Sequence, residues 1–304
     1  MTDFTKIEAD LTGIFSGSVA TGDFDGDGDR DILITGAIGL ENEGTIFIED
    51  QTSEIYINDG TGGFSEDTEA NLIGVDDSSV ATGDFDGDGD LDLLITGESE
   101  GGNVAKIYLN DGAGGFSEDT EASLTGVESG SVSVGDFDGD DDLDLLITGR
   151  TGETEDGEIA EIYLNDGAGG FSEDTEASLT GVEFSTTSTG DFDDDGDLDL
   201  LITGFDNVAN SVSSIYLNDG LGGFSKDNSN SLVGVSFGSV ATGDFDGDSD
   251  IDLFLTGNGS RTGQFYTNDG TGSFSLNTDA NPDGFGNFDG SISTGDYDND
   301  GDLD

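Results

Sequence analysis

Along this chain, apolar residues alternate with polar ones or gather in short runs, and nowhere recur at a helical spacing of three and four. The same runs return in a fixed order. A small, β-prone stretch such as Gly17 to Phe24, GSVATGDF, comes first, and an apolar run, LDLLITG in its second copy, follows. KIYLNDG, Lys106 to Gly112, is the third, and GGFSEDTEASLTGV, Gly114 to Val127, the fourth. Each is β-branched or aromatic in character and bounded by Gly, Asn or Asp, the signature of a strand. The NDGAGG between the third and fourth has hairpin-turn chemistry, because Asn, Asp and Gly tolerate positive φ. The pattern predicts four antiparallel strands, A to D, in each period. The central LLI of strand B is apolar on both faces, as expected of a strand packed between two neighbouring sheets.

Between strands A and B lies a run of alternating aspartates that recurs six times, starting at Asp23, Asp84, Asp136, Asp191, Asp244 and Asp296. The intervals are 61, 52, 55, 53 and 52 residues, too long for most solenoid coils and right for propeller blades. The predicted fold is therefore all-β, a β-propeller of four-stranded antiparallel blades spanning residues 1–304 as one domain. Residues 4–13, FTKIEADLTG, match strand D of the other copies, while the sixth aspartate run ends on Asp304. Five complete blades are expected, plus a sixth split between the two ends and lacking its middle. The chain thus reads as a C-terminally incomplete piece of a six- or seven-bladed parent.

Charge changes the picture. The 304 residues carry 70 Asp and Glu against 6 Lys and Arg, a formal −64. Nucleic acid and anionic membranes both need a basic face and are excluded as partners. With 52 Gly added to the 32% hydrophobic residues, enough apolar material remains for a core. There is no His and no Cys, which removes zinc sites, disulfides and Ser-His-Asp or Cys-His chemistry. No run is long and apolar enough to insert in a membrane, and the N-terminus lacks the pattern of a signal peptide.

The aspartate run reads DFDGDGDLD from Asp84 to Asp92, five like charges in nine residues that need a counter-ion. Numbered from its first Asp, it offers side-chain carboxylates at positions 1, 3, 5 and 9 around a Gly turn at position 6, and a backbone carbonyl at position 7. Hard oxygens at this spacing suit Ca²⁺, whereas Mg²⁺ keeps its waters and a strict octahedron. The expected ligands are Asp23, Asp25, Asp27, Asp31 with the Asp29 main chain, and Asp84, Asp86, Asp88, Asp92 with Asp90. Next come Asp136, Asp138, Asp140, Asp144 with Asp142, and Asp191, Asp193, Asp195, Asp199 with Asp197. The last two sets are Asp244, Asp246, Asp248, Asp252 with Asp250, and Asp296, Asp298, Asp300, Asp304 with Asp302. Up to six Ca²⁺ are expected, with a structural role. Position 6 is Asp141 in the third loop and Ser249 in the fifth, which lose the free positive φ of Gly at about 1 kcal/mol and should bind more weakly. An EF-hand is excluded, since its twelfth position would be Ile95. Even six ions would leave a large negative charge, which suits a saline habitat.

The stretch from Phe237 to Gly257, FGSVATGDFDGDSDIDLFLTG, resembles the FG-GAP repeat of integrin α-subunit propellers and the VCBS-type repeats of their bacterial relatives. The likeness recurs along nearly the whole chain. It departs in having TG after strand B, and in keeping a clean FG only at Phe237-Gly238. The resemblance implies calcium loops joining strands A and B on one face of a propeller, with partners bound on the opposite face by the D–A and B–C links. Those B–C links vary most here: Ala37–Glu54, Glu98–Lys106, Arg150–Glu161, Phe205–Ser214 and Asn258–Gln264. Three of the six cations, Lys106, Arg150 and Arg261, lie in them. Phe184 and Phe237 in D–A links read as core staples.

The functional expectation is a monomeric, extracellular recognition or adhesion module that takes a protein or glycan ligand and catalyses nothing. A polysaccharide-acting lyase or dehydratase is the alternative, and a passive spacer in a large secreted adhesin is another. Catalysis needs a residue that breaks the repeat, and Tyr56, Tyr108, Tyr163, Tyr216, Tyr266 and Tyr297 all sit at repeated positions.

Overall fold

The computed structural model describes residues 11–42, 45–152, 157–259, 263–278 and 290–295, and every regular element among them is a β-strand. The first blade comprises β1 (Phe15–Gly22), β2 (Asp31–Asn42), β3 (Thr45–Asn58) and β4 (Phe64–Glu66). The second has β5 (Asp76–Gly83), β6 (Asp92–Ser99), β7 (Gly102–Asn110) and β8 (Phe116–Glu118). The third has β9 (Glu128–Gly135), β10 (Asp144–Arg150), β11 (Glu158–Asn165) and β12 (Phe171–Glu173). The fourth has β13 (Glu183–Gly190), β14 (Asp199–Phe205), β15 (Ser211–Leu217) and β16 (Ser225–Lys226). The fifth has β17 (Val240–Gly243), β18 (Asp252–Leu255), β19 (Gln264–Thr267) and β20 (Ser275–Leu276). In each blade the strands pair antiparallel in chain order. First strands of successive blades lie against one another, β1 on β5, β5 on β9, β9 on β13 and β13 on β17, and so line the centre of a β-propeller.

The core lies between blades. In β6, Leu93 and Ile95 turn toward the first blade and meet Phe24, Leu33 and Ile55. Leu94 turns the other way, with Ile107, to meet Leu145, Ile147 and Tyr163 of the third. Alternation along a pleated strand thus makes LLI buried on both sides, at about 1.5–3 kcal/mol of apolar burial per side chain. The same division recurs with Leu146 and with Leu201.

The first four aspartate loops are each anchored by a position-2 Phe. Phe24, Phe85, Phe137 and Phe192 are fully buried and pack edge-to-face on Phe116, Phe171, Phe224 and Phe274 of the following blade, at centroid distances of 6.2, 6.1, 6.0 and 5.9 Å. Residues 290–295 follow the expected strand A of a sixth copy in one contact. The Ile292 N–H donates to Ser239 Oγ at 3.1 Å, as Val132 N–H does to Ser79 and Thr187 N–H to Ser131. Thr12 N–H likewise donates to the Tyr56 hydroxyl, as each later D–A link does to its own Tyr.

Two expectations change. Strand D is far shorter than Gly114–Val127: the ladder covers Phe116–Glu118, and after the turn in which the Asp119 carboxylate accepts the Glu121 N–H only an isolated bridge from Val127 to Val104 rejoins strand C. The first B–C link, Ala37–Glu54, is mostly not a loop, since β2 and β3 continue their pairing as far as Asn42 opposite Thr45. The second is a tight hairpin between Ser99 and Gly102.

Candidate metal centres

Asp92 begins strand β6 and Gly83 ends β5, so the eight residues between them must reverse the chain. Position 1 organises that reversal. Asp84 Oδ1 accepts the N–H groups of Gly87 and Asp88 at 2.9 and 3.1 Å, and its Oδ2 accepts that of Gly89 at 3.0 Å. Asp136 does the same with Gly139, Asp140 and Asp141, and Asp244 with Gly247, Asp248 and Ser249. Asp23 and Asp191 each hold the position-5 and position-6 amides. Position 5 accepts the N–H of position 7 in all five described loops, at 2.9–3.1 Å.

Position 9 is the buried floor. Asp31, Asp92, Asp144 and Asp199 are wholly inaccessible and Asp252 nearly so. One oxygen accepts the N–H of the position-2 Phe, at 2.7 Å in Asp92, and the other the N–H of the Asn that ends strand C, at 2.8 Å. The position-7 carboxylate faces away from the loop, toward the C–D turn: a Cβ on Gly112 would lie 2.3 Å from Asp90 Oδ2, so only Gly, here at φ +70°, fits.

Carboxylate oxygens of positions 1, 3 and 9 converge within 4.8 Å in three loops: Asp84, Asp86, Asp92; Asp136, Asp138, Asp144; and Asp191, Asp193, Asp199. In the first loop the converging trio is Asp23, Asp25 and Asp27. Such clusters of hard oxygens could hold a metal ion. The fit is sharpened by two atoms: Asp138 Oδ1 and Asp193 Oδ1 are buried at position 3 without a hydrogen-bond partner. An anionic oxygen left so is costly unless a cation meets it. The sixth set, Asp296, Asp298, Asp300, Asp302 and Asp304, lies outside the described residues.

Crowding shows in the acidities. Burial, with the charges of neighbouring aspartates added, raises Asp86, Asp138, Asp193 and Asp246 above the ordinary carboxylate range. Asp25 is raised as well, by burial first, against a hydrogen bond from Asp27. Burial pushes Asp92, Asp144 and Asp199 up to about 6.

Positive φ is needed at two places in the loop. Position 6 is left-handed at Asp141 (73°) and Ser249 (82°), as expected. Position 4 is left-handed too, and in the fourth loop it is Asp194 at 60°. The paired glycines of DGDG carried that signal, and sequence reasoning used only the second. Among the five described loops three, not two, thus carry one non-glycine residue in this conformation.

At the start of the inner strands, the other end of the sheets from these loops, Ser16, Asp77, Ser129, Phe184 and Phe237 occupy equivalent positions and all have φ of 41–50°. With the residues that follow them they line an open depression of about 400 Å³. Phe184 and Phe237 are partly exposed, stack on each other at 3.9 Å, and meet Phe205 edge-on. They are wall as well as staple. Asp77, Glu98 and Glu128 converge on the same side. Of the cations in the links, Lys106 pairs with Glu118 and Arg150 with Glu183 at 3.7 Å, while Arg261 lies outside the described residues.

Comparison with known proteins agrees with this geometry. The FG-GAP-like repeat family matches residues 45–95, 84–147, 191–255 and 244–304, and the FG-GAP repeat matches 15–48. Among solved structures the chain is similar to an Agrocybe aegerita lectin studied for its specific recognition of non-reducing terminal N-acetylglucosamine. The TM-score is 0.55 at 18% identity, over 86% of this chain and 79% of the lectin. A further match is the V. cholerae biofilm matrix protein Bap1, TM-score 0.46 at 17% identity, covering 86% of this chain and 38% of that protein. The lectin supports the propeller fold. Because the family matches run over most of the sequence and fall on the same recurring turn, the chain belongs to the FG-GAP-like repeat family.

Proposed function

We propose that this protein is a calcium-rigidified recognition module of the extracellular space. In this reading Ca²⁺ sits in the aspartate turns, held by the carboxylates of positions 1, 3, 5 and 9 and the position-7 carbonyl. The ions are structural: they cancel the repulsion that the chain concentrates between strands A and B, and they do not take part in a reaction. The observation that carries the reading is the convergence of carboxylate oxygens in loop after loop, with Asp138 Oδ1 and Asp193 Oδ1 buried and unpartnered among them. Loops of this open kind bind calcium at about 10⁻⁴–10⁻³ M in extracellular modules, which favours an extracellular setting.

The ligand, protein or glycan, is taken at the opposite end, where the links differ from blade to blade while the aspartate turns stay constant. Glycans are the first class to try, given the lectin among the fold neighbours. The chain binds and does not catalyse in this reading. Its five described strand-C tyrosines support that, since each hydroxyl is engaged in the same way by a D–A link amide.

Two measurements test the proposal. Calorimetry in excess chelator and at millimolar calcium should give melting temperatures at least several degrees apart. A glycan and matrix-protein array, probed with and without calcium, should show binding that calcium supports. An unchanged melting temperature removes the ions from the scheme. Turnover of a polysaccharide would replace recognition with catalysis.

A further inference from the structure

The aspartate loops are not separate units. The Asn at the end of strand C, its last residue or the one just after it, ties the loop of its own blade to the loop before it. The Asn110 main-chain N–H donates to Asp92 Oδ1 at 2.8 Å, while its Nδ2 donates to the Leu91 carbonyl of its own loop at 3.0 Å and to the Phe24 carbonyl of the preceding loop at 3.1 Å. Asn165 repeats this with Asp144, Leu143 and Phe85 at 2.8, 3.1 and 3.0 Å. Asn218 does so with Asp199, Leu198 and Phe137, and Asn268 with Asp252, Ile251 and Phe192. All four are buried, and their Oδ1 atoms accept a turn amide from Gly112, Gly167, Gly220 or Asp269. Every N–H such a residue owns is thereby used, and its Oδ1 is engaged as well.

The bonded carbonyls are placed where they matter. Position 2 stands between positions 1 and 3, and position 8 immediately precedes position 9. A second contact runs the same way: a Cβ on Gly26 would lie 2.7 Å from the Gly112 carbonyl, and one on Gly87 3.1 Å from that of Gly167. In the first blade Asn58 makes the bonds to its own loop, with Asp31 and the Arg30 carbonyl.

We infer that these asparagines are positioning residues shared by adjacent cation sites, so that filling one loop raises the calcium affinity of its neighbour. The inference rests on the calcium reading above. An ion in the third loop fixes Asp144. Asp144 holds the Asn165 main chain, and the Asn165 side chain holds the Phe85 carbonyl between Asp84 and Asp86. The effect runs in both directions, as any coupling of two binding equilibria must. It reaches the adjacent blade and fades beyond it.

The test is a calcium titration of the whole, metal-free, ¹⁵N-labelled chain, followed at the amides of Gly28, Gly89 and Gly196. Each of these donates to the position-1 carboxylate of its own loop, at 2.9, 3.0 and 3.0 Å, and so reports the first, second and fourth loops separately. D138N/D140N disables the third loop. The midpoint at Gly89 should then move to roughly fivefold higher calcium or more, and that at Gly28 should stay within about twofold. N165A, which leaves every charge in place, should move Gly89 by itself, and adding D138N/D140N to N165A should move it no further. If D138N/D140N still shifts Gly89 in the N165A background, something other than the asparagine links the sites and the inference is overturned. A Gly89 midpoint indifferent to D138N/D140N overturns it as well. Should N165A not fold, D138N/D140N is titrated in 0.15 M and 1 M KCl instead. The asparagine tie predicts a shift that survives salt, and a shift that vanishes refutes it. A wild-type chain whose loop glycines ignore calcium removes the calcium reading itself, a result distinct from a responsive chain whose loops fill independently.

Discussion

Replacing Asp138 by Asn should stabilise the protein in chelator and destabilise it in calcium. The Asp138 carboxylate has oxygens within 4.8 Å of those of Asp136 and Asp144, and its Oδ1 has no partner. At that distance two unit charges repel by about 3.5 kcal/mol at an effective dielectric near 20 and by just under about 1 kcal/mol in bulk water. The site is partly open to solvent, so relief of about 1–2 kcal/mol is expected from the neutral amide when no ion is present. Calcium reverses the balance. At 100 times its dissociation constant, an ion contributes about 2.7 kcal/mol to the wild-type loop by mass action, and D138N forgoes most of that. The stability gap between the two proteins should therefore swing by about 2–3 kcal/mol and change sign, which at roughly 2–4 °C per kcal/mol is a melting-temperature swing of about 4–12 °C. Differential scanning calorimetry on both proteins, in chelator and across a calcium series, reads it directly. A variant less stable than wild type in chelator, or a gap that calcium leaves unmoved, would refute the account of the loop as repulsion awaiting a cation.

Three further outcomes follow from the same geometry. In chelator, the melting temperature should fall as pH rises from about 4 to 7. Asp92, Asp144 and Asp199 have folded-state values of about 6, above the unfolded 3.8, so the stability they contribute is full below pH 3.8 and lost through pH 6, at up to about 3 kcal/mol each. A metal-free protein that melts at a constant or rising temperature over that range contradicts the burial of these groups. F137A should cost about 3–5 kcal/mol in urea unfolding, since Phe137 is fully buried and its edge contact with Phe224 is lost with it; a loss under about 1 kcal/mol would mean the loop is not anchored there. S249G should gain about 1 kcal/mol and tighten calcium binding at the fifth loop, because Ser249 sits at φ 82°, and no gain in either would show the strain to be relieved elsewhere.

Much of this architecture could be read from repetition. Six aspartate runs at near-constant spacing placed the A–B turn, and Asp92 and Asp144 begin their strands as the apolar runs behind them imply. Of the expected carboxylates at positions 1, 3, 5 and 9, those of 1, 3 and 9 converge in three loops and those of 1, 3 and 5 in the first, a grouping legible in part because alternate residues of a tight turn point inward together. Other features depend on partners far away in the chain. Asn110 looks like ordinary hairpin-turn chemistry beside Asp111 and Gly112, yet its side chain is spent on the loop of another blade. Its recurrence at Asn58, Asn165, Asn218 and Asn268 was the available signal. The existence of strand D was legible but its short length was not, because β-prone composition says nothing about the Asp119 carboxylate accepting the Glu121 N–H in a turn of its own. The second left-handed position was hidden for a simpler reason: where both glycines are present, neither position stands out.

The bond from each strand-C asparagine to the preceding turn has a consequence for how the molecule is made. Asn110 follows Phe24 by 86 residues, and the three later pairs are separated by 80, 81 and 76. A turn emerging from the ribosome must therefore wait for well over one further period before the side chain that binds its position-2 carbonyl exists. Maturation runs from the N-terminus onward, always a blade and a half behind synthesis, and the most recently made turn at any moment is the least finished one.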